Sequence, residues 1–140
     1  MDVLETLEAG VLIISALMAE HGFSYSVSAA GASSGGTFAS ADFVRGNHRL
    51  ELHLRHSLGL VTYHVGSHTL SHEDFMWSVL GERWRGHYPG FSEDPLDGFR
   101  NLRQDLAEHG GVFLSGTDAE FLTCANHVSL LKLKESRLPS

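Results

Sequence analysis

The sequence predicts an α+β fold: an N-terminal helix, a four-stranded antiparallel meander, then three helices packed on one sheet face as a two-layer sandwich. Three observations predict it. Leu50, Leu52 and Leu54 alternate with Arg49, Glu51, His53 and Arg55, the period of two of a strand with one buried and one wet face. Strand-like runs succeed one another from 23 to 65 with short connections, which suits antiparallel neighbours rather than the long crossovers of parallel pairs. Beyond residue 70 the apolar spacing changes to three and four, with helix-cap residues ahead of each run.

The elements follow in order. Leu4, Leu7, Val11, Ile14 and Met18 recur on one helical face, widened by Ile13 and Leu17, so the first helix is expected to be well buried. His21-Gly22 ends it, since glycine accepts the left-handed conformation at a helix terminus. Phe23, Tyr25 and Val27 alternate with Ser24, Ser26 and Ser28 as the first strand. The glycines between 31 and 36 mark a turn or flexible loop. A second strand spans 37–44, Gly46-Asn47 makes a tight turn, and strands three and four cover about 49–56 and 60–65. Ser71, ahead of Glu73 and Asp74, starts a helix to Leu80. Asp94-Pro95 reads as cap and first position of the next helix, with Phe99, Leu102 and Leu106 inward and Gly110-Gly111 as its end. Thr117 and Glu120 form a capping box for the last helix, to about Lys134, with Phe121, Leu122, Ala125, Val128 and Leu131 as its apolar face. The segment 138–140 is expected to fray. No repeat or linker divides the chain, so 1–140 reads as one domain.

Composition bounds the function. A chain of this length buries roughly 68% of its unfolded surface and folds without staples. The single cysteine, Cys124, excludes an intrachain disulfide and a multi-cysteine zinc site. That usage suits a reducing cytoplasm. The apolar run 11–19 is too short to span a bilayer, and Asp2, Glu5 and Glu8 stand where a signal peptide carries basic residues, so neither a membrane partner nor a targeting signal is expected. A formal charge of −7 argues against nucleic acid. Ten histidines qualify that charge: protonating all of them would turn −7 into +3.

Catalytic signals are sparse. Cys124 lies on the apolar side of the last helix and reads as a buried, inert thiol. Ala32-Ser33-Ser34-Gly35-Gly36 is glycine-rich but lacks the lysine of a phosphate loop, and no Gly-x-Ser-x-Gly elbow occurs. Glu73-Asp74 and Glu93-Asp94 sit at helix starts, where carboxylates complement the helix dipole. His64, His68 and His72 recur every four residues and are the weak metal candidates. Gly66 interrupts them, only His68 and His72 would share a helical turn, and the zincin glutamate is missing. No cofactor is implied.

Two segments remain as binding candidates. The wet face of the sheet carries Arg49, Glu51, His53, Arg55 and His64. The loop 84–91 sets Trp84, Tyr88 and Phe91 among Arg83, Arg85 and His87, and arginine and aromatic residues are enriched at interface hot spots. Trp84, Arg85 and Tyr88 are its candidate contacts, against the alternative that the rings tuck beneath the helices. A small acidic α+β layout without a catalytic motif resembles bacterial proteins of the toxin-immunity kind. That resemblance, which is of layout, implies a non-catalytic binding module that inhibits a basic partner, with electrostatic steering to match. A small-molecule-binding protein or hydrolase using the polar sheet face is the alternative, and an enclosed pocket around His53 and His64 would favour it. Homodimerisation through an edge strand or the first helix is a third expectation.

Overall fold

The computed structural model describes residues 2–33, 36–86, 88–90 and 92–136. Helix α1 (Val3–Glu20) leads into strands β1 (Ser24–Ser33), β2 (Gly36–Arg45), β3 (His48–Leu54), β4 (Leu58–Val65) and β5 (His68–Ser71). Helices α2 (His72–Leu80), α3 (Asp97–His109), the short α4 (Gly111–Leu114) and α5 (Asp118–Ser136) follow. Every neighbouring pair of strands is antiparallel and the spatial order is the chain order, a meander. Gly46 and Gly66, at φ 58° and 59°, open the two-residue turns before β3 and β5, a left-handed conformation that costs glycine little.

The sheet has five strands where the sequence indicated four. The fifth, His68–Ser71, is too short for its alternation to register, and its pairing with β4 defines it: Leu70 lies opposite Tyr63. That places His68 in a strand and makes His72 the first residue of α2, so the two do not share a helical turn.

Alternation delivers one face of the sheet to the core. Phe43, Leu50, Tyr63 and Leu70 form one apolar row across four strands, and Ala41, Leu52 and Val61 form the next. All are buried, together with Leu7, Val11, Ile14 and Met18 of α1, Phe75 and Met76 of α2, Phe99, Leu102 and Leu106 of α3, Phe113 and Leu114 of α4, and Phe121 and Val128 of α5. The Tyr63 ring stacks on Phe75 at 4.4 Å and meets the edge of Phe113 at 5.0 Å. Helix α1 approaches α3 so closely that a Cβ on Gly10 would lie 2.3 Å from the Phe99 ring.

Several boundaries move for local physical reasons. Strand β1 runs on to Ser33, through what reads as loop. Tyr25 and Val27 point to the core side, opposite Phe43 and Ala41, but at the sheet edge the helical cover thins and they stay 38% and 44% exposed. Strand β3 ends at Leu54, where a register shift against β4 turns the chain, so Arg55 lies beyond the strand. Helix α3 starts at Asp97 rather than after an Asp94 cap. Asp94 instead closes a preceding turn, accepting from the Leu96 amide at 2.9 Å and pairing with Arg100. Ser71 does cap α2, accepting from the Asp74 amide, and Thr117 and Glu120 bond reciprocally at the start of α5. Leu122 is exposed rather than inward, and the expected tail at 138–140 lies outside the described residues.

A polar lock joins the sheet to the C-terminal helices. The buried His48 donates from Nδ1 to the Phe113 carbonyl at 3.0 Å, and its Nε2 lies 3.2 Å from Asp118. Asn47 donates to the same carboxylate at 2.6 Å and Arg45 donates to the Leu114 carbonyl at 3.1 Å. The Asn47 bond first, then the His48 bond and the nearby positive charges, hold the Asp118 carboxyl below its ordinary range.

Leu52→Asp is expected to unfold the domain, because an unpaired charge in that row has a desolvation cost of several kcal/mol; a cooperative, near-wild-type melt would refute the assignment. Asp118→Asn tests the lock by pH. A carboxyl depressed in the folded state contributes stability above its ordinary pKa and loses it as pH falls through the folded value. The variant should therefore be less stable than wild type at neutral pH, with the deficit shrinking in acid. Denaturant melts showing a deficit independent of pH would contradict it.

Candidate functional site

The helices cover one face of the sheet, and the opposite face is open. Register fixes its layout. One row across β2, β3, β4 and β5 reads Val44, Arg49, His64 and Thr69; the next reads Asp42, Glu51, Thr62 and Ser71; a third reads Ser40, His53 and Leu60. Strand alternation thus brings Arg49, Glu51, His53 and His64 together, as the sequence indicates, and adds Asp42 and Ser40.

These side chains hold one another. Arg49 donates to Asp42 at 3.2 Å, with Glu51 3.8 Å away. His64 Nε2 lies 2.8 Å from Glu51 Oε1 and its Nδ1 lies 3.0 Å from the Thr69 hydroxyl. His53 Nδ1 lies 2.8 Å from the Ser40 hydroxyl. Cross-strand pairs of this kind contribute about 0.2–1 kcal/mol each. Their larger effect is to fix the rotamers of long side chains before any partner arrives.

The far end of the face is aromatic and apolar. Phe38 stacks on His53 at 5.5 Å, and the Arg55 guanidinium lies 5.7 Å over the Phe38 ring. Arg55 also donates to the Gly36 carbonyl at 3.0 Å, so it belongs to the β1–β2 hairpin rather than to the strand row. Leu60, opposite His53, is 61% exposed. Phe38 and Leu60 were missed by sequence reasoning. Both lie in runs read simply as strand, and the register with β3 and β4 puts Phe38 on the side of Ser40 and Asp42 and Leu60 opposite His53.

The loop after α2 behaves differently. Tyr88 is buried and Trp84 half-buried, both packed into the core, and Arg85 is exposed. His87 and Phe91 lie outside the described residues. Trp84 donates from its indole to the Tyr88 carbonyl at 3.0 Å and meets His72 edge-on at 5.4 Å. His72 itself is fully buried. Its Nδ1 lies 2.8 Å from the Tyr63 hydroxyl and its Nε2 lies 3.1 Å from the Tyr88 hydroxyl and 3.4 Å from Asp105. Tyr88 also donates to Asp105, with the Asn101 carbonyl 3.1 Å from the same hydroxyl. A carboxylate at Nε2 favours the proton there, which leaves Nδ1 to accept from Tyr63. Burial first, then the charges of Asp105 and Glu73, push the Tyr63 phenol well above its ordinary pKa, so it remains a donor.

An Asp–His–Tyr chain has the elements of proton relay, but this one is enclosed by Trp84, Tyr63 and Phe75. Each histidine nitrogen already has a partner within the protein, so the network fastens β4, α2, the loop and α3 together. The three histidines of the four-residue spacing are separated: His64 lies on the open face, His68 in β5 and His72 on the core side. Among the described residues no group of three or more histidine, cysteine, aspartate and glutamate side chains converges as a metal site. Cys124 is free and partly buried.

Four clefts stand out among the described residues. A cleft of about 710 Å³ is lined by Asp2, Val3, Thr6, Gly36, Thr37, Arg55, His56 and Pro95. Three smaller ones lie against α5 or between α1 and α3. None of these four is lined by His53 or His64. Among the described residues no helix is long and apolar enough to cross a membrane. Compared with known proteins, the chain matches no family model, no curated protein and no solved structure.

Tyr63→Phe isolates the buried network. Removing the hydroxyl strands the His72 Nδ1 acceptor, and an unsatisfied buried group costs about 1–3 kcal/mol. Chemical denaturation should show that loss, and it should be strongly non-additive with Asp105→Asn, since both act on one histidine. Additive losses would show that the two contacts do not act through His72.

Proposed function

We propose that the chain is a non-catalytic protein-binding module that docks through the open face of its sheet. One observation carries this reading: among the described residues, no helix covers one face of the five-stranded sheet, and that face presents a prearranged charged cluster beside an exposed leucine. Specific interfaces combine an apolar patch with charged and polar groups, and this face sets the two end to end. Here Leu60, Phe38 and His53 supply the apolar part, and Arg49, Glu51, Asp42 and His64 supply the polar part. The face is open rather than pocketed, which favours a macromolecular partner over a small molecule.

An immunity-type inhibitor of a basic protein fits this reading best. Apart from Asp42 and Glu51, the acidic residues responsible for the net charge of −7 lie off the rows of the open face. The overall field would then accelerate the encounter, while the mixed face sets the fit.

The test is affinity capture with the wild-type chain and three folded variants. Leu60→Glu and Arg49→Glu alter the open face, and Glu108→Lys alters exposed α3. A true partner should be retained by wild type and by Glu108→Lys and lost from both open-face variants. In titration calorimetry each open-face change should weaken binding by roughly 30-fold, the equivalent of about 2 kcal/mol at a hot spot, and added salt should lower the affinity. A partner captured equally by all four chains would place the contact elsewhere.

A further inference from the structure

Strand β1 has β2 on one side and, among the described residues, no strand on the other. At ten residues it is as long as any strand in the sheet, and its sequence, SYSVSAAGAS, contains no charge and no proline. Exposed edges usually carry lysine, proline or inward charges that discourage pairing with another chain. The opposite edge, β5, has only four residues. In a chain of net charge −7, β1 itself brings no charge to a contact between two copies, and the acidic group whose charge acts on its Tyr25 is Glu8 on α1.

The surroundings of this edge are apolar on the helical side. Tyr25 and Val27 project there and remain exposed. On α1, Gly10 and Ile13 turn toward α3, as the Gly10–Phe99 approach and the groove between Ile13 and Arg100 show. Leu4, Glu8 and Leu12, one turn apart, turn to the other flank, over the β1 edge. Glu8 lies near enough to Tyr25 for its charge to act on the phenol. Leu12 is 76% exposed and Leu4 is also exposed.

We infer that two copies of the chain pair antiparallel through the edge of β1, about a two-fold axis at Ser26, joining their sheets into one. The sequence is self-complementary about that axis. Tyr25 of one copy falls opposite Val27 of the other, a large ring against a small branched side chain on the helical side, and Ser26 meets Ser26 on the open side. The register shift between Val27 and Ala29 confines the pairing to the first half of the strand. The α1 flanks bearing Leu4 and Leu12 then face each other above the joint. An isologous contact of this kind is the commonest oligomeric arrangement. It leaves both open faces side by side on the same side of the joined sheet.

Sedimentation equilibrium on the full chain tests it. Wild type should approach twice the chain mass of 15.3 kDa as concentration rises, whereas Val27→Lys and Leu12→Glu should remain at the monomer mass with unchanged circular dichroism. Both positions are exposed, so either variant suffices if the other folds poorly. Ser26→Cys in a Cys124→Ser background should cross-link to itself under mild oxidation. Hydrogen exchange of β1 amides should slow with concentration in wild type and not in Val27→Lys. A wild-type chain that stays monomeric throughout overturns the inference. So does a dimer that both variants leave intact, and the contact would then be sought at other exposed apolar residues such as Leu60 or Leu122, Leu130 and Leu133 of α5.

Discussion

The buried His72 is the constraint on which the arrangement of this chain turns. An imidazole with no access to water must find a partner for each nitrogen, because an unmet polar atom in the core has a large desolvation cost. Its partners come from three different places in the sequence: Tyr63 from β4, Tyr88 from the loop and Asp105 from α3. Satisfying one side chain thus fixes the position of α2 on the sheet, draws the loop inward and sets the rotation of α3. Trp84 closes the site and gives its own indole proton to the loop backbone. The loop is fastened at its other end as well, where the Gly90 amide donates to Leu58 and the Ser57 hydroxyl donates to Gly90.

One-sided burial follows from that anchoring. The helices meet the rows headed by Phe43 and Ala41, and the aromatic contacts of Tyr63 with Phe75 and Phe113 complete the core between the layers. The His48 and Asp118 lock ties the sheet to α4 and α5 from the same side. These cross-links between sheet and helices all pull in one direction. Among the described residues, the side chains of the second sheet face are held by cross-strand pairs such as Arg49–Asp42 and His64–Glu51.

The two candidate interaction surfaces are physically distinct. The open face is polar, with its charges already paired and its one strongly exposed apolar side chain, Leu60, at one end. The β1 edge is uncharged and offers backbone groups together with Tyr25 and Val27. A charged face discriminates among partners through the cost of mismatched ions, whereas a neutral edge accepts any strand that brings compatible side chains. Under the two proposals, their separation would let one surface serve self-association while the other stays exposed.

By itself the sequence determined the class of fold, the antiparallel order of the strands, the buried row of Leu50, Leu52 and Leu54, and the caps at Ser71 and Thr117. These are properties of local periodicity and of residues within four positions of one another. It also determined that Arg49, Glu51 and His53 share a face, since alternation alone enforces that. Only the tertiary structure decided that β5 exists, because four residues become a strand through pairing with β4. It likewise decided that Trp84 and Tyr88 turn inward, because their anchor at His72 and Asp105 is distant in sequence. Arg55 left the strand because a register shift against β4 ends β3 at Leu54. Tyr25 and Val27 kept the orientation their alternation predicts but not the burial, because burial depends on how far the helical layer extends over the edge, and no local pattern encodes that distance.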